Sequence, residues 1–178
     1  MTPKTLAALF ALALLAPVPA GAQQQPATPA TAGTAAAPPA APLPYGMPIS
    51  MDAARKAMAA AEEEAARNNW NVAIAIVDSG GHPVMMHRLD GTQIASIRIA
   101  EGKARTALEF RRPTKALEDG IAAGGAGLRI LGVEGVTPLE GGVPIQSGGR
   151  IVGAIGVSGV LSSQDAQIAR AGAETAAR

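Results

Sequence analysis

The amino-acid sequence predicts an α+β fold, in which helices pack on one antiparallel sheet. Helical spacing of apolar residues recurs in several stretches after residue 49. Between these stretches lie strand-like runs in pairs, joined by the short turns DSGG at 78–81 and SGG at 147–149. Hairpins join antiparallel neighbours, whereas parallel strands need long crossovers. The expected order is therefore helix, two strands, two helices, two or three strands, and helix.

Two segments precede this predicted domain. Lys4, the apolar run 6–16 and the small residues 20–22 are typical of a secretory signal peptide cleaved before Gln23. The run is shorter than the ~20 residues that span a bilayer, although an uncleaved anchor is the alternative. Residues 23–48 are uncharged and rich in alanine and proline, which favours an extended tether. We predict a signal peptide at 1–22, a tether at 23–48 and one domain at 49–178, located in the periplasm or secreted.

The first helix and the first strand follow directly from residue spacing. Ser50 is the predicted N-cap of a helix whose buried face includes Ala54 and Met58. The run NVAIAIV at 71–77 is apolar on both faces, which predicts a central strand covered on both sides. The return strand, HPVMMHRL at 82–89, contains Pro83, which favours an edge or loop position for its start.

The second half of the domain is predicted in the same way. Thr92 is the expected cap of a helix that Pro113 ends, and residues 114–123 form another short helical stretch. Glycines make residues 120–127 a loose segment. A hairpin between residues 141 and 159 and a helix from Ser162 to about Ala177 complete the fold, with Ser162 and Asp165 as a capping-box-like start.

Composition excludes several functional classes. The chain has no cysteine, which rules out disulfides, cysteine-ligated zinc and iron–sulfur clusters. Four aromatic residues are too few for stacking on nucleic-acid bases, and the net charge of +1 falls to zero when Lys4 leaves with the signal. We therefore expect no nucleic-acid partner. With 40 alanines and 21 glycines the core is thin, so burial between the subunits of a homo-oligomer is expected to add stability.

Two histidines are the strongest candidate ligands for a metal. His82 and His87 flank Met85 and Met86, and their odd separation points them to opposite faces of a regular strand. They are therefore not expected to bind one metal together, but each histidine or methionine alone is a candidate axial ligand of haem iron. The alternative places His82 in the turn and His87 as an exposed or hydrogen-bonded strand residue. No catalytic triad is evident.

Six strings in this order resemble the GlcG/HbpS-type haem-binding family, a domain also found at the C-terminus of some cobalamin adenosyltransferases. They are VDSGGHPV at 77–84, HRLDG at 87–91, KARTA at 103–107, GGVPI at 141–145, GAIGVSG at 153–159 and QDAQIA at 164–169. The resemblance covers about residues 49–178. It implies a profilin-like α/β sandwich, assembly into oligomers that are often octamers, and binding of haem, with roles in haem sensing or iron handling.

The resemblance also implies site residues. Arg88, Asp90, Lys103 and Thr106 occupy positions of the family's motifs, and a threonine hydroxyl near Thr106 is implied to approach haem iron. Two positions depart from the family pattern, Leu89 in place of methionine and Val160 in place of glycine.

We therefore predict a cofactor-binding set with His87 as the candidate axial ligand, His82 as the weaker one, and Arg88 and Lys103 as partners of the propionates. The set comprises His87, Arg88, Asp90, Lys103 and Thr106.

Three functional hypotheses remain open at this point. The first is a secreted or periplasmic oligomeric protein that binds haem or a similar flat cofactor. The second is a small-molecule enzyme that uses Arg88, Asp90 and Lys103 as acid–base or anion-binding groups, which requires them to converge in one pocket. The third is a structural oligomerisation module without a ligand.

Overall fold

The computed structural model describes residues 41–176, and these confirm the α+β prediction. The helices and strands follow the predicted order, with an additional 3-10 helix (Gly125–Gly132). The elements are α1 (Met51–Arg67), β1 (Ala73–Asp78), β2 (Pro83–Arg88), α2 (Ala95–Glu109), α3 (Lys115–Ala122), β3 (Gly142–Ser147), β4 (Arg150–Ser158) and α4 (Ser162–Ala176).

The four strands form one antiparallel sheet in the order β2-β1-β4-β3. Helices α1 and α4 pack together on one face, and α2 packs on the other face against β1, β4 and β3. Strand β1 is central and its first five residues are buried, as its sequence predicted. Strand β2 is an edge strand, in agreement with the expectation from Pro83.

Alternation along β1 divides the core into two clusters. Ile74 and Ile76 belong to the larger cluster, which includes buried residues of α1 and α4. Ala73, Ala75 and Val77 point to the opposite face and pack with alanines of α2. The small side chains on this second face let α2 lie close to the sheet.

Gly156 in β4 is the point of closest approach between α2 and the sheet. A Cβ atom built on Gly156 would overlap the carbonyl oxygen of Ala100 and lie 2.5 Å from the backbone nitrogen of Ala104. Only glycine allows the helix backbone to rest on the strand backbone here.

The capping residue was predicted correctly for α1 but not for α2 or α4, although α4 begins at Ser162 as predicted. Ser50 Oγ accepts a hydrogen bond from the Ala53 amide at 3.2 Å, which confirms the N-cap. Helix α2 begins only at Ala95, because Thr92 donates its hydroxyl to the Leu89 carbonyl at 2.7 Å and stabilises the preceding turn. Ser162 is itself within α4, so it does not cap this helix.

Residues 115–139 form an excursion between α2 and β3 that contributes nothing to the core. Neither α3 nor the 3-10 helix contains a buried residue. The segment predicted to be loose is thus partly helical. Its exposed apolar side chains include Leu128, Leu131, Val133 and Leu139.

The N-terminal part of the described chain joins the sheet earlier than the predicted domain start at residue 49. Tyr45 pairs in parallel with Ile151, and the Gly46 amide donates to the Ile151 carbonyl at 2.8 Å. The Tyr45 hydroxyl donates to the Leu108 carbonyl at the end of α2, at 3.0 Å. The predicted signal peptide lies outside the described residues. Among residues 41–176, no helix has the length and apolar character needed to cross a membrane.

Candidate functional site

The sheet register fixes which face each residue of β2 presents. His87 pairs with Ile74, whose side chain lies on the α1 face, whereas Arg88 pairs with Ala73 on the α2 face. Directly opposite residues of an antiparallel pair share a face. His87 therefore faces α1, and Arg88 lies on the other side of the sheet.

A carboxylate from α1 orients His87. The Nδ1 atom of His87 lies 2.5 Å from Oε1 of Glu62, and the side chain of His87 remains 46% exposed. An ionised carboxylate can only accept, so Nδ1 is the donor, and in the neutral imidazole Nε2 holds the free lone pair. Histidines that bind metals usually donate their second nitrogen to a carboxylate in this way. The imidazole is thus held in the tautomer that a metal ligand requires.

Apolar side chains lie on the same face as His87. Val84, Met85 and Leu89 are partly buried and pack against the larger core cluster, as does Trp70 just before β1. They leave part of an apolar surface at the β2 edge, next to an oriented imidazole. Met86 has the opposite orientation, because it pairs with Ala75.

His82 lies in the turn between β1 and β2, outside the strand. Its amide donates to Asp78 Oδ1 at 3.0 Å, and the Gly80 amide donates to the same oxygen at 2.8 Å. Burial alone would raise the pKa of Asp78, but the two amides and the His82 side chain, 3.5 Å away, together hold the pKa below its usual value. Within the described range, no three acidic or histidine side chains gather as a metal site would require.

Lys103 is buried in an ion pair between α2 and α4. Its Nζ donates to Asp165 Oδ2 at 2.8 Å and to the Val157 carbonyl at 2.9 Å, and the two side chains are 2% and 3% exposed. Asp165 Oδ1 also accepts from the Val160 amide at 3.2 Å. Burial raises the pKa of Asp165, and Lys103 and the Val160 amide oppose that rise. The pair connects α2 to α4, and Asp165 also holds the loop that joins β4 and α4 through the Val160 amide.

Thr106 is also fully buried and has a specific partner. Its Oγ1 accepts from the Thr137 amide at 2.8 Å. The hydroxyl therefore holds the loop before β3 against α2. The structure places Thr106 and Lys103 in the interior on the α2 side, away from the face that carries His87.

The predicted site residues do not form one cluster. Arg88 and Asp90 are exposed at the end of β2 and in the following turn, while Lys103 is occupied by Asp165. The convergence that the small-molecule enzyme hypothesis requires is not found among these three residues. The assignment of the five residues to a cofactor stays a prediction, and His87 has the geometry best suited to it.

The sequence alone did not reveal the side chains that pair with His87 and Lys103. Glu62 lies 25 positions before His87, and Asp165 lies 62 positions after Lys103. Glu62 belongs to a run of three glutamates whose periodicity does not reveal which of them meets β2. A charged residue at a core-facing helix position, such as Lys103 beside Ala104 and Ala107, is a signal for a buried partner.

Known proteins resemble this chain over nearly all of the predicted domain. A family model described as "Haem degrading protein HbpS-like" matches residues 49–174. The protein GlcG of Escherichia coli K12 is 42% identical over 110 residues, which cover 62% of this chain and 81% of GlcG.

Solved structures of relatives share the fold. A double mutant of HbpS from Streptomyces reticuli is 35% identical, with a TM-score of 0.67 over 79% of this chain and 97% of that one. A structure described as a PduOC–haem complex is 27% identical, with a TM-score of 0.67 over 72% of this chain and 95% of that one. From its matched motifs, its sheet and these relatives, the chain belongs to the HbpS-like family.

Proposed function

We propose that this protein binds haem and that His87 is the axial ligand of the iron. The observation that carries the proposal is the contact of 2.5 Å between His87 Nδ1 and Glu62, which leaves Nε2 as the basic nitrogen of a half-exposed imidazole. The description of the family as haem degrading and the haem complex of a relative support the choice of cofactor.

The surroundings of His87 suit a flat apolar ring. Val84, Met85 and Leu89 offer partly buried apolar surface on the same face of β2. When bound, haem would supply the iron, and this chain would supply one nitrogen ligand and one apolar wall. An edge strand leaves the opposite side of such a ring uncovered, so a second subunit is the natural source of the other wall.

We therefore extend the proposal to a homo-oligomer that is exported to the periplasm or secreted. The oligomer is supported by the thin alanine-rich core and by the exposed leucines of residues 115–139. Export is supported by the signal-like segment at 1–22. A native mass equal to one subunit would contradict the oligomer. A mature protein that still begins at residue 1 would contradict export with cleavage of the signal.

Titration of the purified protein with hemin tests haem binding directly. The wild type should develop a Soret band shifted from that of free hemin and saturate at a fixed ratio to subunits. His87→Ala should lose the shift, because it removes the proposed nitrogen ligand. His82→Ala is the matched control, since its imidazole lies in the turn, and it should titrate like the wild type. A shifted band of equal size in His87→Ala would refute the assignment of the ligand.

A further inference from the structure

A cleft lies on the outer side of α2, on the opposite face of the sheet from His87. Its volume is about 460 Å³, within the ~300–1,000 Å³ typical of small-molecule sites. One wall is α2 and the other is the loop before β3. The residues that define it are Arg98, Glu101, Gly102, Arg105, Val136 and Thr137.

One hydrogen bond and one glycine bring the two walls of this cleft together. The buried Thr106 hydroxyl accepts from the Thr137 amide at 2.8 Å. Gly102 has no side chain, and a Cβ atom there would collide with the Thr137 hydroxyl. The loop can therefore approach the helix closely, and the cleft is formed before any ligand arrives.

The charged groups in the cleft favour an anion. Arg98 and Arg105 are two helical turns apart on the same side of α2, about 10 Å at 1.5 Å per residue. Arg105 is paired with Glu101 at 2.7 Å. Arg98 is exposed and forms no ion pair with any residue between 41 and 176. One guanidinium is thus left to bind a carboxylate, for which its planar donors are suited.

The rest of the lining is apolar. Ile99 and Val136 are half-buried and border the space between the helix and the loop. An anion alone would leave this surface without a contact. We propose that the cleft binds a small organic carboxylate whose apolar body rests on Ile99 and Val136 and whose carboxylate pairs with Arg98.

This second site does not depend on haem binding, because α1 and α2 cover opposite faces of the sheet. Ligand-observed saturation-transfer NMR with benzoate tests it, since benzoate joins a carboxylate to a flat apolar body. Benzamide is the neutral counterpart of the same shape. The wild type should transfer saturation to benzoate in a dose-dependent manner and transfer far less to benzamide.

Three variants complete the test. Arg98→Gln should weaken benzoate binding about tenfold or more, because it removes a charge-assisted hydrogen bond. Val136→Trp should abolish binding by filling the cleft. Arg55→Gln, at an exposed arginine of α1, should bind like the wild type. Equal binding of benzamide and benzoate, or unchanged binding in Arg98→Gln and Val136→Trp, would overturn the proposal. Hemin titration of Arg98→Gln should match the wild type, which separates this site from His87.

Discussion

Helices α2 and α3 follow one another in the chain but have opposite surroundings. Helix α2 buries seven of its residues against the sheet, whereas α3 buries none. Each carries a lysine paired with an aspartate. The Lys103–Asp165 pair is almost fully buried, and the Lys115–Asp119 pair is about half exposed on both sides. The same chemical pair thus occurs once in the interior and once in solvent.

This difference shows which part of the domain is stabilised by contacts within the chain. Helix α2 packs on the sheet, and the charge of its buried Lys103 is neutralised by Asp165 of α4. The excursion at 115–139 presents exposed leucines and one surface ion pair, Lys115–Asp119, which adds little stability. We infer that the exposed apolar side chains of Leu128, Leu131 and Val133 in this excursion gain burial in the proposed oligomer.

The largest effect should come from Lys103→Met. Removing one partner of a buried ion pair leaves an uncompensated charge and costs about 3–5 kcal/mol of unfolding free energy. Lys115→Met, the matched change in α3, should leave the unfolding free energy nearly unchanged, because its ion pair is exposed to solvent. Urea unfolding followed by circular dichroism at one protein concentration measures both. Similar midpoints for the two variants would contradict the contrast between the helices.

A smaller effect is expected from adding one methyl group to a glycine. Gly156→Ala forces a Cβ atom against the backbone of Ala100 and Ala104, and overpacking of this kind costs about 1–3 kcal/mol. Gly120→Ala in α3 meets no atom within 4 Å and should stabilise the protein by ~0.5–1 kcal/mol through helix propensity. Thermal unfolding compares the two. A loss of stability in Gly120→Ala would mean that α3 is packed more tightly than described.

The smallest effect concerns the turn after β1. The amides of His82 and Gly80 depress the pKa of Asp78 below its unfolded value. The ionised carboxylate therefore contributes stability above about pH 4, and the contribution is lost as pH falls through the folded pKa. Asp78→Asn should be less stable than the wild type at pH 7 by about 1 kcal/mol or less, with a smaller gap at pH 3. Asp90→Asn, at an exposed turn residue, serves as the control, and an equal pH response in both variants would refute this role of Asp78.

Sequence patterns predicted those features of the fold that depend on neighbouring residues. The run at 71–77, apolar on both faces, predicted a central strand, and Ser50 was correctly predicted as a cap, because both features are local. The start of α2 was wrong, since the Thr92 hydroxyl bonds backward to Leu89 and not forward into the helix. Threonine has both options, and only the turn geometry decides between them.

The candidate site was less predictable because its contacts are distant in sequence. Periodicity identifies the faces of α1 and β2 but not the register at which they meet. The pairing of Glu62 with His87 depends on that register, as does the pairing of Lys103 with Asp165. The sequence therefore indicates the candidate residues but not their partners.

We propose that the imidazole of His87, oriented by Glu62, binds haem iron. Rescue of His87→Ala by free imidazole tests it most directly, because imidazole replaces only the missing nitrogen. The hemin complex of this variant should lack the wild-type Soret position, and added imidazole should restore it in a saturable manner. A wild-type spectrum in His87→Ala before any imidazole is added would contradict the account.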